Sequence, residues 1–215
     1  MSVVLKTAYC GPVEYYAAIA AQMGLTIENG QPRIVPAQVR LEAHENYQKQ
    51  SWRNRCTIYS ASGPENLNFP IIHRNGTHNG IPITEVEIDW STDWERRHKV
   101  AIDSAYHTSA FFDYYRDEFY AILDSRPSRL WDLNLRLTEF FLDKLGIAAT
   151  ITPTDDYEEN ALDIHPKRSN TIMKDLGLDR EYFQVFSPKH GFIPGLSIMD
   201  LLFNEGPASI SMLRK

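Results

Sequence analysis

The chain has 215 residues, 43% of them hydrophobic and 23% charged, a composition that fits an ordinary globular fold and excludes a disordered or fibrous one. That length buries one substantial core, so a single domain over residues 1–215 is expected. The formal net charge is −6 with no run of five basic residues, so the electrostatic footprint of a nucleic-acid binder is missing. No apolar stretch approaches the roughly 20 residues of a membrane helix, and the first residues lack the layout of a signal peptide. The expectation is a cytoplasmic protein without membrane insertion. Cys10 and Cys56 are too few for a disulfide framework and lack zinc-ligand spacing.

In chain order, residues 3–9 form a short β-prone run, Cys10-Gly11-Pro12 breaks it, and residues 13–23 turn to a helical pattern. Residues 36–41, 52–59, 67–72 and 83–88 read as strands separated by Ser-Gly-Pro and Asn-Gly turns. Thr92 and Glu95 have the spacing of a capping box, which predicts a helix from there to about residue 123 with a break near Thr108. A helix over 130–145 stops at Gly146. A strand over 148–152, an acidic turn over 154–159 and a strand over 182–186 follow. Pro194-Gly195-Leu196-Ser197 then leads into a last helix ended by Gly206-Pro207. Strands early and late with helices between them predict an α/β fold, a single domain with a central, mostly parallel or mixed sheet flanked by helices.

Several segments carry candidate chemistry. Tyr9-Cys10-Gly11-Pro12 joins a strand to a helix, where free amides at the helix N-terminus attract an anion. Tyr9, Gly11 and Tyr15 are its candidate substrate contacts; the plain alternative is that any strand–helix unit needs a turn there. Cys10, beside the same helix end, has the setting of an activated thiol, against the commoner fate of an inert buried one. On a strand through residues 48–56, Trp52, Asn54, Cys56 and Ile58 share one face, and Arg53, Arg55, Thr57 and Tyr59 share the other. Asn54 then needs partners on a core face. Arg53 and Arg55 stand side by side as a fork for phosphate or carboxylate, with Lys49 just upstream. A solvated face paired with Glu85 or Glu87 is the alternative.

Trp94 and His98 lie one helical turn apart, in line with Ile102 and near Tyr106. His98 is the candidate general base, because its ordinary pKa lies near working pH, and Tyr106 and Asn54 are candidate orienting groups. A structural histidine is the alternative, and no His-x-x-x-His spacing implies a metal. Ser197 and Asp200 are spaced like a helix cap and its partner. The acidic run 155–159 holds oxygen ligands for a divalent cation, although such runs are ordinarily solvated turns.

In this order and spacing, the segments resemble the WbqC-like family. The Pro- and aromatic-rich turn entering a helix is Tyr9-Cys10-Gly11-Pro12-Val13-Glu14-Tyr15-Tyr16. The lysine followed by an aromatic and Asn-Arg is Lys49, Trp52, Asn54 and Arg55. Trp94, His98 and Tyr106 match the middle helix, and Pro194, Leu196, Ser197, Asp200 and Asn204 match the closing one. The chain departs from the pattern at His44-Glu45, where many relatives have an acidic pair, and at Thr152-Pro153-Thr154, where they have a serine pair. The resemblance implies a transferase of bacterial surface-polysaccharide synthesis. Such an enzyme acts on a phosphorylated or nucleotide-activated sugar, or adds a small acyl or aminoacyl group. Two other readings stand beside it: a non-catalytic sugar- or nucleotide-binding accessory protein, and an acyltransferase or hydrolase using Cys10. The expected partner is a small anionic or sugar substrate, with no nucleic acid. No motif assigns a cofactor, a metal or an oligomeric state.

Overall fold

The computed structural model describes residues 2–72 and 80–215; the Asn75-Gly76 turn expected from the sequence lies outside them. Val3, Val4 and Leu5 form β1 (Ser2–Leu5). The expected strand over 3–9 stops there because Cys10 takes a positive φ of 43° and the Tyr9 amide turns to the Trp52 carbonyl at 2.7 Å. The chain then enters α1 (Val13–Ala20), buried on every side, as a helix apolar apart from Glu14 should be.

The hairpin β2 (Gly24–Glu28) and β3 (Gln31–Val35) follows, antiparallel in register Leu25↔Ile34, an element the sequence reading did not include. Asn29 and Gly30, at φ 54° and 77°, form its turn, the positive angles that a two-residue hairpin loop demands. Next comes β4 (Ala37–Leu41), whose Ala37, Val39 and Leu41 are buried while Gln38 is exposed, the period-2 alternation of a strand.

Trp52–Asn54 is a short 3-10 turn, and only then does β5 (Arg55–Ser60) begin, paired antiparallel with β6 (Gly63–Asn68). The expected strand over 67–72 is reduced to the end of β6 plus an isolated bridge, Ile71↔Ile88. Ile83–Glu85 is likewise a 3-10 turn, a correction to the strand expected over 83–88.

Three helices follow: α2 (Trp94–Tyr106), α3 (Phe112–Asp124) and α4 (Leu130–Lys144). The break expected near Thr108 separates the first two. The capping box does not form. Asp93 sits at the head of α2 without capping it and pairs with Arg96 at 2.7 Å, while Glu95 binds Lys99 and Arg126, each at 3.0 Å.

β7 (Ala149–Pro153) pairs in parallel with β4, as β1 does from the other side, so the central sheet is all-parallel in the order β1-β4-β7. Leu162 extends it by a single parallel bridge to Leu5, its amide donating to the Val4 carbonyl at 2.8 Å. Residues 163–170 therefore leave the sheet at the carboxyl end of β1, the side on which open parallel sheets hold ligands.

The chain closes with α5 (Ile172–Asp175), α6 (Ser187–His190), α7 (Ile198–Glu205) and α8 (Ser209–Leu213). No strand forms over 182–186. The Gln184 side chain takes the place of a strand partner, donating to the Ile193 carbonyl and accepting from its amide, both at 2.9 Å.

One hydrophobic core joins the sheet to the helices. Its aromatic centre is Phe203 of α7, whose ring meets Tyr106, Phe112 and Phe119 at 5.3, 5.1 and 6.2 Å, in edge-on geometry that adds to simple burial. The fold is thus α/β, a parallel sheet with helices around it. Among the described residues, no helix is long and apolar enough to cross a membrane.

Candidate functional site

Backbone hydrogen bonds sew three of the candidate segments together. Val13 N donates to Leu196 O at 3.0 Å, Ser197 N to Thr57 O at 2.8 Å, and Ile198 N to Gly11 O at 2.9 Å. Ser197 Oγ donates to Cys10 O at 2.8 Å and accepts from Met199 N, so this serine is a helix cap that also pins the opening loop.

That stitching removes the anion site expected at the head of α1. The Val13 amide is taken by Leu196 and the Tyr15 amide by Pro12, so the donors an anion would need are occupied. Gly11 answers to packing: a Cβ there would stand 3.2 Å from Ala8 Cβ and 3.3 Å from Tyr15 Cγ. Tyr15 is a core residue whose ring meets Tyr16 at 5.4 Å. Cys10 is buried against Cys56, and burial pushes its thiol well above the ordinary range. That is the reverse of activation.

Tyr9 and His98 do converge, in the interior. Tyr9 is fully buried and His98 4% exposed. His98 Nε2 faces the Asn68 carbonyl at 3.1 Å. A carbonyl only accepts, so Nε2 carries the proton and Nδ1 accepts from the Tyr9 hydroxyl at 3.0 Å. Burial pulls the His98 pKa down to about 4, with the Asn68 carbonyl acting against it. Both nitrogens are committed, which argues against the general-base role. Tyr106 is buried too; its hydroxyl accepts from the Tyr59 amide at 3.3 Å.

The expected arginine fork does not form, because the 3-10 turn rotates Arg53 inward. Arg53 is 2% exposed and bidentate to Glu45, Nε to Oε1 at 2.8 Å and Nη2 to Oε2 at 2.6 Å. Lys6 adds a third contact to Glu45 at 3.1 Å, and the Asn134 side chain donates to Arg53 O at 2.8 Å. Asn54 meets its expected need for partners, accepting from Tyr47 Oη at 3.0 Å and donating to Phe69 O at 2.6 Å. Arg55 is half-buried and Lys49 exposed. In the acidic run, Glu158 pairs with Arg40 at 2.7 Å and its amide donates to the buried Glu42 carboxylate.

What the stitched segments enclose is a groove of about 270 Å³, walled by Pro12 and Glu14 of the α1 entry, Trp52, His165, Arg168 and the irregular 193–196 segment. Glu14 is 9% exposed. Burial raises its carboxyl above the ordinary range, its own backbone amide and the Asn170 side chain opposing. Its Oε2 and the Trp52 Nε1 are both buried without a hydrogen-bond partner among the described residues. One is an acceptor and the other a donor, and a native fold seldom leaves either unmet. Arg168 stands exposed at the rim, 3.9 Å from Asp163. His165 lies beside it, its pKa lowered by burial.

Behind Glu14 a second hollow of about 390 Å³ opens, and Glu14, Asn170, Pro194 and Gly195 belong to both. Below its Tyr182 wall sits a buried knot. Asp200 Oδ2 accepts from Tyr182 Oη and Gln184 Nε2, both at 2.9 Å, and burial raises the Asp200 pKa to about 6.

Sequence reasoning did not single out Glu14, His165, Arg168 and Asn170, which line this candidate groove, and it treated Trp52 as core. The available signal was an acid inside an otherwise apolar helix, together with the cluster His165-Pro166-Lys167-Arg168.

The model of the WbqC-like protein family matches residues 38–185. The chain is 27% identical over 199 residues to Uncharacterized protein Rv1507c of Mycobacterium tuberculosis, covering 78% of this chain and 84% of that protein. No solved structure matches it significantly.

Proposed function

The chain belongs to the WbqC-like protein family, and we propose that it is a small-molecule transferase whose substrates meet at Glu14. The observation that carries this reading is a buried carboxylate with an unpartnered oxygen in the wall of a groove. A carboxyl held above its ordinary range is suited to take a proton from an attacking hydroxyl or amine near neutral pH. Trp52 Nε1 offers a donor to the same ligand, and Arg168 a fork for its anionic end.

A ligand with hydroxyls, an apolar ring face and phosphate fits that set, as a sugar phosphate or nucleotide-activated sugar does. Surface-polysaccharide synthesis is the setting that the family resemblance implies for such a substrate. Calorimetric titration with a panel of nucleotide sugars and sugar phosphates tests the reading. Arg168→Ala should weaken the ligand that binds by about tenfold, the worth of a charge-assisted hydrogen bond. Glu14→Gln should keep binding and lose turnover by about a hundredfold or more. Turnover that survives Glu14→Gln, or a panel without a binder, contradicts it.

A further inference from the structure

A transferase has two substrates, and Glu14 borders two hollows. The groove is lined by charged and polar groups. The second hollow is different: its exposed lining is mainly apolar, with Val13, Met173, Leu178, Phe192 and Met212 in its wall and the Tyr182 ring beside Phe192 at 5.2 Å. Its volume, about 390 Å³, falls within the usual range of small-ligand sites. Leu178 is 2% exposed, and the charges of Lys174, Asp179 and Arg180 stand at the exposed rim. The Arg180 guanidinium is turned onto the Ser211 carbonyl. Glu14 belongs to the same wall, and its carboxylate, met by its own amide and the Asn170 side chain, still has one buried oxygen, Oε2, without a hydrogen-bond partner among the described residues.

We propose that this hollow is a subsite for a primary amine with an apolar body, whose ammonium group pairs with Glu14 while its carbon skeleton fills the space between Met173, Leu178 and Phe192. The inference rests on the reading that Glu14 faces substrate, and it names one of the two substrates. A buried carboxylate short of a donor is best met by a cation that brings several N–H groups. Apolar walls favour an aliphatic or aromatic skeleton over a sugar. The polar groove is left for the activated partner.

Hexylamine is the probe, with hexanol as its uncharged counterpart and uridine diphosphate reporting on the groove in parallel, all measured by calorimetry on the full chain. Hexylamine should bind saturably at pH 7.5, at least about tenfold tighter than hexanol. Leu178→Trp, which fills the hollow, should abolish that binding, and Glu14→Gln should weaken it about tenfold. Circular dichroism on each variant separates loss of the site from loss of the fold, and the milder Met173→Phe should give a partial loss if Leu178→Trp does not fold. Equal binding of amine and alcohol, or amine binding unchanged in Glu14→Gln, overturns the proposal. Uridine diphosphate binding without saturable hexylamine binding overturns this subsite alone and leaves the groove standing. Failure of both ligands overturns the reading of Glu14 itself.

Discussion

His98 and Asp200 are buried ionisable groups whose burial acts in opposite senses on stability. His98 falls from 6.5 to about 4 in the fold, so the native state binds fewer protons there. Its contribution is complete above pH 6.5 and lost as pH falls toward 4. Asp200 rises from 3.8 to about 6, so the native state binds more protons, and stability is lost as pH climbs through that window. At about 1.4 kcal/mol per pH unit, each is worth about 3 kcal/mol, and between pH 4 and 6 they nearly cancel. His98→Gln should therefore give a protein that loses stability with rising pH relative to the parent, and Asp200→Asn one that gains it, read from urea midpoints at pH 4, 5 and 6. Profiles parallel to the parent's would refute the assignment. Arg53 and Glu45 are a second residue-scale case: removing one partner strands a buried charge. Glu45→Ala should cost about 3 kcal/mol by denaturant unfolding, and a loss under about 1 kcal/mol would show the pair to be solvent-shared.

At the scale of elements, the long periodic segments were legible and the short ones were not. α2, α3 and α4 repeat their apolar residues over three or more turns, so their boundaries and the interruption near Thr108 could be read directly. Trp52–Asn54 and Ile83–Glu85 are too short for period to distinguish a 3-10 turn from a strand. The hairpin went unread although Asn29-Gly30 between apolar alternations is a strong hairpin signal. Its Leu25, Ile27 and Ile34 are exposed, which predicts that it opens on its own rather than with the core. Gly30→Val puts a β-branched residue at φ 77°. The expected result is amide exchange across residues 24–35 about tenfold faster or more, with the global urea midpoint unchanged. An equal fall in global stability would show that the hairpin unfolds with the rest.

For the whole molecule, the site depends on which distant segments the topology brings together. The sequence reading picked the opening loop, the segment around Trp52 and the 194–197 turn, and these do meet. It placed the chemistry on Tyr9, the Arg53 and Arg55 pair and His98 because composition cannot tell an inward side chain from an outward one. The parallel sheet decides that. Its carboxyl end delivers residues 163–170 over α1, bringing Arg168 and Asn170 to Glu14. The four tryptophan indoles at 52, 90, 94 and 131 report on these alternatives in one experiment. Trp52 walls the Glu14 groove, whereas Trp94 lies beside His98 in a separate surface depression. In a nitrogen–proton correlation spectrum, with Trp52 assigned by Trp52→Phe, titration of the nucleotide sugar that binds should shift the Trp52 indole signal and leave Trp94 in place. A shift at Trp94 with Trp52 unmoved would contradict the account and return the site to His98.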